Sequence, residues 1–178
     1  MNQTFNTYLV SDFDIQQREA FFKLIDENRP RLEDYFAGLA SQTKTLEDTI
    51  RFVESIEQKR LDKTYFPFAV TDIATNAIIG WVDVKNTDWR IPKAEVGYFI
   101  DQQYEGKGII SRAFSYVVEY VVAHYGFKKL LCRANGKNMG SIQVALKNGF
   151  ELEGTVRRDY RTTNNELVDL NYYGKVFG

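Results

Sequence analysis

Val96-Gly-Tyr-Phe-Ile-Asp-Gln-Gln-Tyr-Glu-Gly-Lys-Gly-Ile-Ile-Ser111 is the stretch whose reading decides the fold. Its first residues, with Ala94 and Glu95, form an apolar and aromatic run that predicts a strand over Ala94–Asp101. The next residues, Gln102–Gly108, are polar and punctuated by Gly106 and Gly108. From Ile109 the apolar spacing becomes helical and continues to Tyr125, where Gly126 is placed to end it. Glycines at such a junction let backbone N–H groups converge at a helix N-terminus. That arrangement suits a phosphate or pyrophosphate, with Lys107 adding a positive charge. The spacing is not that of a Walker A loop, and the third glycine of a dinucleotide fingerprint would fall at Ser111. Taken alone, the pattern also fits a plain strand–helix connection.

Working outward, Lys129–Ala134 reads as a strand. Asn138 caps a helix that buries Ile142, Ala145 and Leu146 and stops at Gly149. Phe150–Tyr160 and Leu167–Phe177 read as two strands around a polar loop, Thr162–Asn165. Upstream, Tyr65–Ile73 and Ala77–Lys85 are strands joined at Thr75-Asn76. Before them, Thr45-Leu-Glu-Asp48 resembles a capping box with Asp in the last place, opening a helix with Leu46, Ile50, Val53, Ile56 and Leu61 near one face. Phe5–Val10 predicts the first strand. A helix carrying Ala20, Phe21, Leu24 and Ile25 follows, Pro30 interrupts it, and Arg31–Ala37 adds a further turn. The order is β-α-α-β-β-β-α-β-α-β-β, an α/β (α+β) chain with antiparallel pairing early and a parallel pair late. With no repeat and no linker, residues 1–178 read as one domain.

Composition narrows the chemistry. The 178 residues include 23 Lys+Arg and 24 Asp+Glu, for a net charge of −1. That balance argues against direct nucleic-acid binding or a membrane-binding surface. One Cys and one His cannot build a disulfide framework or a zinc site, so no metal is expected. They also disfavour a His-based triad. His124 suits a helix C-terminus and Cys132 a buried strand thiol. No signal peptide or membrane span is read, so the expected location is cytoplasmic.

The Ala94–Asp101 strand with Glu105-Gly-Lys-Gly-Ile109, together with Asn138 through Gly149-Phe150, resembles the GNAT superfamily of acetyl-CoA-dependent N-acetyltransferases. Asn28-Arg-Pro-Arg-Leu32, Ala94-Glu-Val-Gly-Tyr98 and Ser141 are most similar to its Rim-type ribosomal-protein N-terminal acetyltransferases. The resemblance spans Leu9 to about Lys175. It implies a GNAT-like mixed, mostly antiparallel twisted sheet of about seven strands flanked by about four helices. It also implies acetyl-CoA bound through Phe99, Ile100, Gly106, Lys107, Gly108, Ile109, Ile110, Ser111 and Asn138. The general family loop departs here at Glu105 and Ile110. The family's late-helix Tyr is replaced by Ala145, so Ser141 would be the acid for the departing thiolate, as in the Rim-type pattern. The resemblance makes Glu95 the base candidate, although a solvated or ion-paired strand carboxylate is the alternative reading. Asp159 and Tyr160 stand second. Arg31, Tyr35, Tyr98 and Tyr160 are candidate acceptor-binding residues. Arg157, Arg158 and Arg161 read as a solvated face.

The expected partners are acetyl-CoA and a protein N-terminus, with a polyamine or other small amine as the rival acceptor. A non-catalytic acyl-CoA sensor is the rival of another class. A monomer or weak homodimer is expected.

Overall fold

A computed structural model describes all 178 residues. Eight strands form one sheet in the order β1-β2-β3-β4-β5-β6-β8-β7. They are β1 (Asn2–Phe5), β2 (Tyr8–Asp12), β3 (Phe66–Asp72), β4 (Ala77–Asp88), β5 (Lys93–Ile100), β6 (Lys129–Ala134), β7 (Glu151–Arg161) and β8 (Leu167–Val176). The helices are α1 (Arg18–Glu27), α2 (Arg29–Tyr35), α3 (Ala37–Gln42), α4 (Leu46–Leu61), α5 (Ile109–Tyr125) and α6 (Met139–Lys147). The class is the expected mixed, mostly antiparallel one, but with one more strand and two more α-helices than the sequence predicts.

The extra strand arises because the run expected as one strand, Phe5–Val10, folds back on itself. Phe5 pairs with Tyr8 across Asn6-Thr7. Asn6 takes a left-handed φ of 48°, which its short polar side chain tolerates. Pro30 lies in the first turn of α2, where its missing N–H costs nothing. The chain then breaks at Phe36 and resumes as α3, which carries no capping signal in the sequence.

The Thr45–Asp48 capping box forms as expected: Thr45 Oγ1 accepts from the Asp48 amide at 3.1 Å and Asp48 Oδ2 from the Thr45 amide at 3.1 Å. The buried stripe of α4 is Thr49, Phe52, Val53 and Ile56, while Leu46 and Leu61 are exposed. In α6, Ile142, Val144 and Ala145 are buried, and Leu146 is exposed. In each helix an expected core leucine is instead exposed near an end.

The sheet is covered on both faces. Alternation on β5 sends Ala94, Val96, Tyr98 and Ile100 to the α5 face, packed with Phe114, Val117 and Phe150. Phe99 joins Trp81, Phe21, Phe52 and Ile56 on the α1/α4 face. No helix is long and apolar enough to cross a membrane.

Candidate active site

The decisive geometry lies between β5 and β6. This parallel pair holds register only over Lys93–Glu95 against Lys129–Leu131. Beyond it β5 stays on β4 to Ile100, and β6 stays on β8 to Ala134. The two strands therefore splay into a notch. The Pro92 carbonyl accepts from Lys129 on the β6 side, and the Asp101 amide donates to Ile79 on the β4 side at 2.8 Å. By alternation, the amides of Tyr98 and Ile100 point into the notch. A strand edge with free amides can pair an extended amide chain and stabilise a developing oxyanion.

The glycine loop lies beyond the end of β5. Gly106 and Gly108 have φ of 72° and 74°, the left-handed region glycine enters freely. Gly108 caps α5, and the first helical amide to bond its carbonyl is that of Arg112, at 3.1 Å. The amides of Ile109, Ile110 and Ser111 thus lack intrahelical acceptors at the positive end of a 17-residue helix. A Cβ at Gly106 or Gly108 would meet nothing within 4 Å, so the loop is open on its outer side. Lys107 donates to the Gln103 carbonyl at 2.9 Å and lies over the Tyr104 ring. Ile109 is buried, and the Ser111 hydroxyl accepts from Asn148 at the end of α6 at 3.1 Å. These donors fit a pyrophosphate beside an extended amide chain.

Opposite β5, the Asn138 side chain accepts from the Ser141 amide at 3.1 Å and fixes the mouth of α6. Tyr98 donates to the Ser141 carbonyl at 2.7 Å. Tyr98 is only 6% exposed, and burial pushes its phenol well up. It therefore positions Ser141 as well as lining the cleft.

That cleft has a volume of about 440 Å³ and brings together Glu95, Tyr98, Asn138, Ser141, Tyr35 and Tyr160. The Tyr160 hydroxyl accepts from the Ala37 amide, so the β7–β8 hairpin is tied to the α2–α3 segment over the cleft. Arg31 is not in the cleft; it pairs with Glu105 beside the glycine loop. Phe99 and Ile100 do not line it with their side chains, being buried on opposite faces of the sheet.

Glu95 Oε2 accepts from Arg133 Nε and from Asn86 Nδ2, each at 2.9 Å. Arg133 also reaches Asp159 at 3.3 Å, and Tyr172 donates to Asp159 at 2.6 Å. Burial disfavours the guanidinium, but Glu95 outweighs that and raises the Arg133 pKa.

Several site residues escape the sequence reading. Asn28, 3% exposed, donates to Leu24 O and Asp101 Oδ2 and accepts from the Gln102 amide. It ties α1 to the segment that carries the glycine loop. Asp83 and Lys85 form the cleft floor with Tyr65. Their signal is faint but present: two charges, Asp83 and Lys85, alternate with Trp81 along the otherwise apolar stretch Ile78–Lys85. Cys132 is 2% exposed, and burial pushes its thiol well up. His124 stacks on Tyr120 in the open, away from the cleft.

A splayed parallel pair, an amide-lined strand edge and a glycine-capped helix mouth define an acyl-CoA-using transferase. The acetyltransferase (GNAT) domain family matches residues 10–151, and the chain belongs to that family. It is 27% identical over 133 residues to the ribosomal-protein-serine acetyltransferase of Escherichia coli, covering 73% of this chain and 71% of that one. The ribosomal-protein-S5-alanine acetyltransferase from Vibrio fischeri has the same fold, with a TM-score of 0.90 at 21% identity over 99% of this chain and 96% of that one. RimL, a ribosomal α-N-protein acetyltransferase solved in complex with coenzyme A, gives 0.90 at 18% identity over 98% and 97%.

Proposed function

We propose that this acetyltransferase moves the acetyl group of acetyl-CoA onto the N-terminal α-amine of a protein, with ribosomal proteins as the candidate acceptors. The observation that carries the acceptor class is the charge balance of the cleft. Asp34, Asp83 and Glu95 are matched by Lys59, Lys85 and Arg133 among its lining residues. A polycation would need an acidic funnel, and this cleft offers none.

Acetyl-CoA supplies an activated thioester. The chain holds it through the Tyr98 and Ile100 amides, the first turn of α5 and Asn138. An α-amine has a pKa of about 7.7–8.0 against about 10.4 for lysine, so a sizeable fraction is neutral at cellular pH. The neutral nitrogen attacks the thioester carbon, and the amides at the β5 edge stabilise the oxyanion. Glu95, fixed by Arg133 and Asn86, accepts the proton the amine sheds, directly or through water. The C–S bond breaks as the Ser141 hydroxyl passes a proton to the thiolate, and the proton taken up by Glu95 returns through water to the serine oxygen. The likeness to RimL and the Escherichia coli enzyme supports the reading.

Thiol release measured with acetyl-CoA and a panel of seryl and alanyl peptides, lysine side-chain amines and spermidine tests it. Turnover on the peptides is expected. Turnover confined to spermidine removes the N-terminal assignment, and tight acetyl-CoA binding without transfer to any acceptor favours a sensor.

A further inference from the structure

The cleft floor is built around a missing side chain. On β4, Asp83 and Lys85 share the face that carries Trp81, and β5 sets Gly97 opposite Asp83 and Glu95 opposite Lys85. A Cβ at Gly97 would lie 2.6 Å from Asp83 Oδ1 and 2.8 Å from Lys85 Nζ. Gly97 is thus the opening through which this pair reaches up beside β5. Its neighbour Tyr98 contributes an amide to the notch, so the Lys85 ammonium sits next to the reacting edge.

Asp83 is 4% exposed and fully engaged: Tyr65 donates to Oδ2 at 2.9 Å and Lys85 to Oδ1 at 3.1 Å. Lys85 is engaged differently. Its side chain is 28% exposed and lines the cleft. Its ammonium carries three donors, and Asp83 is their only acceptor in the protein. The Phe36 ring centre lies 5.7 Å away. Burial disfavours the ammonium, but the Asp83 and Glu95 carboxylates outweigh it and raise its pKa, so it stays charged. A charged donor facing this space repels an ammonium and attracts an oxygen.

Resting on the amine-acetylation reading above, we infer that Lys85, positioned by Asp83 and Tyr65, binds the first carbonyl oxygen of the acceptor. An α-amine two bonds from that carbonyl is then held against the β5 edge. The enzyme accordingly selects α-amino carbonyl compounds (peptide N-termini, amino-acid amides and amino acids) over alkyl amines and polyamines, which offer no such oxygen.

Alaninamide and sec-butylamine, matched in shape around the amine, provide the test. The ratio of their kcat/KM values is measured in wild type, Lys85→Met and Lys85→Arg, so that differences in amine basicity cancel between variants. Wild type prefers alaninamide. Lys85→Met cuts that preference roughly tenfold or more through KM for alaninamide, with kcat nearly held, and Lys85→Arg restores part of it. Because Lys85→Met strands a buried carboxylate, the double variant Asp83→Asn/Lys85→Met is assayed as well, with the same loss of preference expected. An equal fall on both amines, or an unchanged ratio, overturns the assignment of Lys85. Turnover on neither amine by wild type, with the peptides still acetylated, overturns this inference alone; failure on the peptides as well removes the underlying reading.

Discussion

Removing one oxygen atom at Tyr98 separates two roles for that residue. In the structure its hydroxyl donates to the Ser141 carbonyl at 2.7 Å, while its ring packs edge-on against Phe114 at 4.7 Å between centres. Tyr98→Phe keeps the ring contact and deletes the hydrogen bond. A neutral hydrogen bond of this kind contributes about 0.5–1.5 kcal/mol net. For a chain of this length, about 1 kcal/mol lowers Tm by about 2–4 °C. The larger effect falls on catalysis, because the bond holds the first turn of α6, where Ser141 sits as third residue. Loosening it lets Ser141 drift from the thiolate position, lowering kcat by up to roughly tenfold with acetyl-CoA affinity intact. Thermal melts and steady-state thiol release read both numbers. Full kcat with unchanged Tm refutes the tether. A loss confined to KM for the acceptor returns Tyr98 to direct acceptor binding.

Three further outcomes follow from local geometry. Thr45→Ala dismantles the α4 capping box and costs about 1 kcal/mol in thermal or urea unfolding, with kcat/KM unchanged because Thr45 is outside the cleft. Gly108→Ala forces a Cβ onto a residue at φ 74°, costing about 1–2 kcal/mol; calorimetric titration will show weaker acetyl-CoA binding as the first amides of α5 turn away. The fold also weakens at alkaline pH. Burial holds the Cys132 thiol and the Tyr65 and Tyr98 phenols above their ordinary values of 9.0 and 10.0, so these groups ionise first in the unfolded chain. Stability is full below those values and is lost as pH rises past about 9. Melts from pH 8 to 11 should show the decline, and Cys132→Ala should flatten its first part.

Local signals were legible wherever one residue type does one job. Gly108 and Gly126 bracket α5, and its range, Ile109–Tyr125, follows directly from them. The Thr45–Asp48 box and the Asn138 cap are equally local. The turn at Asn6-Thr7 was hidden because Phe5–Val10 has enough β character to read as a single strand. Leu46, Leu61 and Leu146 mislead because helical periodicity shows an apolar face but not how much of it the rest of the fold covers.

The site divides along the same line. The strand, glycine loop and helix mouth are contiguous in sequence, so their residues could be named in advance. The cleft floor is not: Asp83 meets Gly97 only through the β4–β5 register, and Arg133 meets Glu95 only across the parallel pair. Side-chain convergence across strands leaves almost no trace in a linear pattern. Glu95 shows the consequence: the resemblance makes it the base candidate with a solvated or ion-paired carboxylate as the alternative, but its partner, Arg133, appears only in three dimensions.

Amide hydrogen exchange, with and without acetyl-CoA, tests the central claim that acetyl-CoA is bound along the β5 edge and the mouth of α5. Slowed exchange at Tyr98, Ile100 and the first-turn amides Ile109–Ser111 is predicted, leaving the outer strand β1 unchanged. Protection absent from these amides, or confined to other parts of the sheet, contradicts it.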